Sequence, residues 1–444
     1  MSAAGLAGAT LVVRGGHPLA GAVRVPGDKS ISHRALLVGA LAEGHSAIVG
    51  LSDGEDVART ADAVRALGAT VGAEGVDGGA SRLHEPAGPV DAGNSGTTMR
   101  LLAGLVAGWP WTVTIGGDES LCARPMDRIA APLRAMGARV HGRGERDLPP
   151  IEVRGGALVA IDYAPPVASA QVKSCVLLAG LRAEGETVVR EAVPTRAHTE
   201  ELLARAGAAI TVADEGGARV VRLRPGELVP FTLEVPADPS QAAFWVVAAT
   251  LVPGSEVTVE GVYVGATRRG FLDVLRRMGA AIGETPAAGA DTTMAVADLA
   301  VRAAPLVATE VEAAEITGLD EVPVLAVAAA RAEGTTVFRG MGELRVKESD
   351  RLAGVVELLG AFGARAHTEG DDLFVTGVPR LTAGSVDARG DHRMAMAGAV
   401  AGLAADPATG ESTMSGFEAV ATSYPAFVAH LRVLTGLGET EAGA

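Results

Sequence analysis

LRRMGA, residues Leu275–Ala280, is the stretch on which the fold turns, because it does not stand alone. VRALGA (64–69), LRAMGA (133–138), LARAGA (203–208), LGAFGA (359–364) and, more loosely, RVLTGLG (432–438) repeat it. Their glycines, Gly68, Gly137, Gly207, Gly279, Gly363 and Gly436, lie 69 to 84 residues apart. A glycine closing a Leu/Arg-periodic run is a helix C-cap signal, because glycine enters the left-handed conformation without steric cost. A second series interleaves with the first: Gly44, Gly108, Gly185, Gly254, Gly334 and Gly410. Each closes an Ala/Leu-rich run and precedes β-branched residues, as in TVVRE, EVTVEGV and TTVFRG. The chain therefore reads as six units of about 70 residues, each a buried helix, a strand, an amphipathic helix and one or two further strands.

The sixth unit lacks its closing strands, and an unpaired strand-like segment, ATLVVRGGHPLAGAVRV (9–25), opens the chain. The N-terminal strands are expected to complete the last unit. That arrangement predicts two pseudo-threefold domains, 25–236 and 237–444 with residues 1–24, joined near Val25 and Pro236 and enclosing an interdomain cleft.

Composition narrows the function. The chain has 444 residues, 48% hydrophobic but only 3% aromatic, so its core must be built from Ala, Val and Leu. A net charge of -15 disfavours binding to nucleic acid or anionic membranes, so an anionic ligand needs a local cationic site. The N-terminus MSAAGLAGAT has neither the basic nor the apolar region of a signal peptide, and no run reads as a membrane span. Two cysteines, Cys122 and Cys175, fit a reducing cytosol, so the expected location is cytoplasmic. Among 38 Lys and Arg only three are lysines, Lys29, Lys173 and Lys347. Either they survive a strong compositional bias by chance, or each marks a place where a compact ammonium is needed and a guanidinium fork does not fit.

The polar residues collect at helix starts. The apolar helices open with GDKSISHR, GNSGTTMR, SAQVK, ADPSQ, LDEVP and GDHR, and the amphipathic ones with GEDVAR, ARPMDR, PTRAHTE, GATRR, RVKESDR and ATSYP. Ordinary capping accounts for many Ser, Asp and Asn residues there. It does not account for Lys29, Arg34, Arg100, Arg124, Arg196, Arg351 and Arg393, since a cation at a helix N-terminus costs about 0.3–1 kcal/mol. Something negative should offset them, and a ligand with several phosphates or carboxylates would do so. Asp320 in LDEVP and Glu348 in RVKESDR could be caps or ion-pair partners; inside a cationic site they are also placed for proton transfer. Cys122, two residues before Arg124, could be an activated thiol, but with no base adjacent a buried filler is favoured. No GxxxxGK[ST], Rossmann glycine fingerprint, HExxH or CxxC pair occurs, and the nine histidines do not cluster, so a metal site is not expected.

Taken in order and spacing, PGDKSISHRALL, GNSGTTMRLL, GDESLCARPM, ASAQVKSCVLLAGL, RAHTEELL, ADPSQAAF, LRVKESDRL and GDHRMAMA resemble the 5-enolpyruvylshikimate-3-phosphate synthase family from end to end. The resemblance implies a two-domain inside-out α/β barrel of six βαβαββ repeats. It also implies transfer of enolpyruvyl from phosphoenolpyruvate to the 5-hydroxyl of shikimate 3-phosphate, without cofactor or metal, by a protein expected to be a monomer. On it, Lys29, Ser30, Arg34, Ser169, Ala170, Gln171, Arg196, Asp320 and Lys347 bind shikimate 3-phosphate, with Thr195 beside them. Lys29, Gly96, Arg124, Gln171, Arg351 and Arg393 bind phosphoenolpyruvate, with Asn94 shaping the Gly96 turn. Asp320, Glu348 and Lys29 are the catalytic set. The chain departs from some members at Thr422, where they carry a lysine, and at Leu101, where they carry proline. The related UDP-N-acetylglucosamine enolpyruvyl transferases fit less well, because their loop cysteine precedes its arginine by five residues. A non-catalytic binder of phosphorylated small molecules would not need Asp320, Lys347 and Glu348 together.

Overall fold

The computed structural model describes residues 9–287 and 294–436 and divides the chain into two compact units, Gly27–Val235 and Met1–Pro26 with Pro236–Ala444. Both are mixed α/β.

The Gly27–Val235 unit holds three four-stranded sheets. Their orders are Thr232–Glu234, Gly44–Val49, Gly75–Gly78, Thr70–Gly72; then Val90–Asp91, Thr112–Gly116, Leu148–Arg154, Arg139–Arg143; then Asp162–Tyr163, Thr187–Glu191, Ala218–Leu223, Ile210–Glu215. In each, the first pair is parallel and the rest antiparallel. Three helices, Lys29–Leu41, Gly96–Ala107 and Ala170–Gly180, are apolar on every face beyond their first two turns and are accordingly buried. Gly96–Ala107 and Ala170–Gly180 touch backbone to backbone: a Cβ on Gly104 would lie 2.2 Å from the Cys175 carbonyl oxygen. Three amphipathic helices, Glu55–Ala66, Asp127–Ala135 and His198–Arg205, bury one face each.

The other unit repeats the pattern with two four-stranded sheets, a three-stranded sheet and the buried helices Pro239–Leu251, Val322–Ala329 and His392–Leu403. In the three-stranded sheet Thr10–Arg14 runs antiparallel to Glu411–Ser415, so the first N-terminal strand joins the last segment of the chain as expected. The second does not. Ala20–Val23 pairs in parallel with Glu256–Tyr263 and supplies the first strand of a different sheet. Thr232–Glu234 does the same for Gly44–Val49 in the other unit. The strand nearest each change of unit thus pairs within the unit it leaves, which satisfies its backbone groups. Among the described residues no sheet closes on itself.

The repeated glycines behave as caps. Gly68, Gly137, Gly207, Gly279, Gly363 and Gly436 all have φ between 68° and 107° and end the amphipathic helices. The scarce aromatics concentrate at one place. Trp245 Nε1 donates to Tyr424 Oη at 2.7 Å, Phe427 stacks on Trp245, and Tyr424 Oη meets His430 Nδ1 at 2.7 Å. This cluster anchors the segment that carries Thr422.

Candidate active site

Five of the six buried helices are capped where the sequence suggests; Val322–Ala329 has Glu321 at its N-cap with no side-chain cap bond, so Asp320 is not a cap. Asp28, Ser95, Ser169, Asp238 and Asp391 accept from the backbone N–H of Ile31, Thr98, Val172, Ser240 and Arg393. Residues just inside these caps form the candidate site of each unit.

In the Gly27–Val235 unit, Lys29 Nζ lies 2.8 Å from Asp56 Oδ2. Arg34 is buried and bridges three segments. Its guanidinium donates to Ser30 Oγ at 2.7 Å, Ser174 Oγ at 2.8 Å, Thr199 Oγ1 at 2.7 Å and the Ser30 carbonyl at 2.9 Å, with a longer contact of 3.5 Å to the Ala170 carbonyl. His198 Nδ1 meets Ser30 Oγ at 3.1 Å. Ser30, Arg34, Ala170 and the capping Ser169 are thereby brought together. Arg196 is half-buried two residues before His198. Gln171 accepts from Arg100 Nη1 at 2.7 Å and donates to Thr97 Oγ1 at 2.9 Å, one residue from Gly96. Arg124 Nη2 donates to Asn94 Oδ1 at 2.6 Å. Burial, then the charges of Arg124 and Arg128, pull Arg100 down to about 10.

Beneath this surface runs a line of side-chain hydrogen bonds: His33 Nδ1 to Thr60 Oγ1 at 2.6 Å, Thr60 to Thr98 at 2.6 Å, and Thr98 to Ser95 Oγ at 2.8 Å. Burial lowers His33 to about 3, against Asp56 and with Lys29 and Arg34, so the imidazole is neutral. The line ties the helices carrying Lys29, Asp56 and Gly96 to one another.

In the other unit a buried guanidinium is the hub. Arg351 Nε and Nη2 reach the two Asp391 carboxylate oxygens at 2.8 and 3.2 Å, Nη1 reaches Asp320 at 3.1 Å, and Nη2 reaches Glu348 at 2.5 Å. Burial opposes its charge, but Glu348, Asp391 and Asp320 outweigh burial and raise its pKa. Burial likewise pushes Asp391 up, and Arg351 and the His392 charge bring it below the usual carboxylate range. Two non-glycine residues with left-handed backbone prepare the arrangement: Leu319 (φ 59°) directly precedes Asp320, and Arg389 (φ 50°) lies two residues before Asp391. Lys347 Nζ donates to the Gly318 carbonyl at 2.8 Å, on the turn that carries Asp320. Arg393, 4% exposed in the first turn of the helix His392–Leu403, has Nε and Nη1 buried without any hydrogen-bond partner.

Several partners escape sequence reasoning. Asp56, Ser174, Thr199 and Asp391 hold the expected cations from 27 to 165 positions away; Asp56 in GEDVAR, Thr199 in PTRAHTE and Asp391 in GDHR stand in the polar helix openings, but nothing there named the cation each would hold. Lys173 is fully buried with Glu191 at 2.8 Å and Glu200 at 2.7 Å, a structural triad to which Thr195 Oγ1 also donates through Glu191. Cys122 is partly exposed instead of a buried filler, with Sγ donating to the Gly117 carbonyl at 3.4 Å. Thr422 ends a short 3-10 helix, Phe417–Thr422. Among the described residues no three His, Cys, Asp or Glu side chains gather as a metal site, and no helix is long and apolar enough to cross a membrane.

This fold is that of the enolpyruvyl transferases: the enolpyruvyl transferase NikO from Streptomyces tendae superposes with a TM-score of 0.76 at 20% identity, over 96% of this chain and 98% of that one. EPSP synthase from Acinetobacter baumannii superposes with a TM-score of 0.84 at 37% identity, covering 96% of this chain and 98% of that one. The family model for EPSP synthase (3-phosphoshikimate 1-carboxyvinyltransferase) matches residues 13–431, and the chain belongs to that family. The 3-phosphoshikimate 1-carboxyvinyltransferase of Gloeobacter violaceus is 49% identical over 93% of this chain and 96% of the relative. That of Acidithiobacillus ferrooxidans is 46% identical over 94% and 96%.

Proposed function

We propose that this chain transfers the enolpyruvyl group of phosphoenolpyruvate to the 5-hydroxyl of shikimate 3-phosphate, releasing phosphate, in the chorismate route to aromatic amino acids. Family membership supports the activity. The observation that carries the site is Arg393: a buried guanidinium with two unpartnered N–H groups at a helix N-terminus is costly unless an anion completes it.

Phosphoenolpyruvate supplies that anion. Arg393, Arg351, Lys29, Gly96, Arg124 and Gln171 are the residues assigned to it. Shikimate 3-phosphate takes Ser169, Ala170, Gln171, Arg196, Ser30, Arg34 and Lys29, with Asp320 and Lys347. The reaction protonates C3 of phosphoenolpyruvate while the 5-hydroxyl loses its proton and attacks C2, and a tetrahedral ketal phosphate then collapses. That requires two proton-handling groups and fixed cations around the developing charge. Asp320 serves the hydroxyl and Glu348 the methylene carbon. Both contact Arg351, so the group assigned to phosphoenolpyruvate also sets the position of the two carboxylates.

The same reading extends the fold to an inside-out α/β barrel of six βαβαββ units and places a monomer without cofactor or metal in the cytoplasm. Incubating the protein with both substrates and following the product by NMR tests the activity. The enol ether and free phosphate should appear together. Absence of product from shikimate 3-phosphate, with turnover of UDP-N-acetylglucosamine instead, would refute it.

A further inference from the structure

Arg100 has no assigned role, yet it joins two of the groups placed on the phosphoenolpyruvate side. Side chains in a helix lean toward its N-terminus, so residue i+4 lies over residue i. Arg100 is four residues after Gly96, and its guanidinium folds back over the bare Cα. A Cβ built on Gly96 would lie 2.8 Å from Arg100 Nη1, 3.6 Å from its Cζ and 3.7 Å from Arg124 Nη1. The first is closer than real Cβ atoms come; the other two are ordinary contacts. The crowded atom is the same Nη1 that donates to Gln171 Oε1 at 2.7 Å.

That hydrogen bond settles which way the Gln171 amide points. Guanidinium N–H groups only donate, so the amide oxygen must face Arg100. The amide nitrogen is then left to Thr97 Oγ1, 2.9 Å away on the same helix as Arg100. Gln171 is therefore clamped at both ends by the helix Gly96–Ala107. A weaker contact of 3.5 Å from Arg100 Nη2 to the Pro125 carbonyl holds the rear of the guanidinium.

We propose that Arg100 is a positioning residue: seated on the bare Cα of Gly96, it fixes the amide of Gln171, and a side chain at 96 acts first by moving that flexible guanidinium. The idea rests on Gly96 and Gln171 serving phosphoenolpyruvate, and it adds the route by which a side chain at 96 reaches the substrate. A methyl group there displaces Nη1, frees the Gln171 oxygen and lets the amide turn.

Steady-state kinetics on Gly96→Ala, Arg100→Met, Arg100→Lys and the double variant Gly96→Ala/Arg100→Lys test it, with thermal melts alongside. Gly96→Ala and Arg100→Met should each raise the phosphoenolpyruvate KM about ten- to a hundredfold, the loss typical of a hydrogen bond from a charged donor. An ammonium is compact and can reach the Gln171 oxygen past a methyl. The Gly96→Ala/Arg100→Lys variant should therefore recover at least about threefold of the KM lost in Gly96→Ala, whatever the melts show. A merely structural role for Arg100, or a methyl that meets the substrate directly, gives no recovery, and that result would overturn the proposal. So would a KM unchanged in Arg100→Met. Gln171→Ala separates the two levels: if it leaves the phosphoenolpyruvate KM untouched, the assignment of Gln171 to the substrate falls as well; if it raises KM while Arg100→Met does not, only the role of Arg100 falls.

Discussion

Replacing Arg351 by methionine should cost the fold more than any other single change at the site, and the cost should depend on pH. Arg351 and Asp391 are 1% and 0% exposed at the side chain, and Asp320 and Glu348 contact the same guanidinium. Removing one member of a buried ion pair typically costs about 3–5 kcal/mol, because the other charge is left uncompensated. For a unit of this size each kcal/mol moves the melting temperature by about 2–4 °C, so the transition of the unit holding Arg351 should fall by about 6–20 °C. In the native protein Asp391 is held below the ordinary range, so its contribution is fully present above the unfolded carboxyl pKa, about 3.9, and is lost as pH falls through the folded value beneath it. Without Arg351, burial dominates and the folded pKa rises above the unfolded one. Asp391 then costs stability increasingly from about pH 4 upward. The gap between native and Arg351→Met should be widest near neutrality and narrow as pH approaches 4. Calorimetry or denaturant titration between pH 4 and 8 reads this directly; a gap that is absent, or that widens on acidification, would refute the reasoning. Arg393→Met is the contrast. Arg393 has two buried N–H groups without partners, so its removal should leave the melting temperature equal or higher while raising the phosphoenolpyruvate KM.

Asp320→Asn keeps a hydrogen-bond acceptor for Arg351 and should fold, bind shikimate 3-phosphate by calorimetric titration, and lose about 10²–10⁴-fold in turnover; activity within a few-fold of native would remove Asp320 from the proton path. Lys29→Arg should be severely impaired despite retained charge, since a wide planar fork cannot replace the ammonium at Asp56 without a shift of about 1 Å, worth on the order of 10²-fold in rate; near-native steady-state turnover would contradict this. Lys173→Met should lower the melting temperature sharply, because it strands Glu191 and Glu200 in the interior, and a melt unchanged from native would show that the triad is not charged as drawn.

Local chemistry made the helix ends legible. Six glycines after Leu/Arg runs and five Ser or Asp caps read straight off the sequence, because each depends on its own backbone and the next few residues. Pairing across the chain was not legible in the same way. Nothing near Ala20–Val23 says that it joins Glu256–Tyr263 while its neighbour Thr10–Arg14 joins Glu411–Ser415. The cations at the helix mouths were visible one by one, but their partners were set by tertiary contacts: Asp56 for Lys29, Ser174 and Thr199 for Arg34, and three carboxylates for Arg351. The rarity of lysine gave a partial signal. Rarity alone marked Lys173 beside Lys29 and Lys347; it was the polar company of the other two that favoured a functional role for them over Lys173, which sits in a closed triad.

Something negative was expected to offset the cations at the helix mouths, and the caps supply part of it. Two of the carboxylate caps meet an arginine at or just before the start of an amphipathic helix: Asp238 lies 2.9 Å from Arg268, and Asp391 lies 2.8 Å from Arg351. One aspartate thus satisfies a free backbone N–H and also balances a neighbouring cation, so capping and charge compensation are a single device here. The device stabilises the mouths in the absence of substrate. Asp391 shows its limit: it caps the N–H of Arg393 and balances the side chain of Arg351, while the side-chain Nε and Nη1 of Arg393 stay without a partner. In this cluster the carboxylates are committed to Arg351, which is why the proposed function gives Arg393 to the anionic substrate.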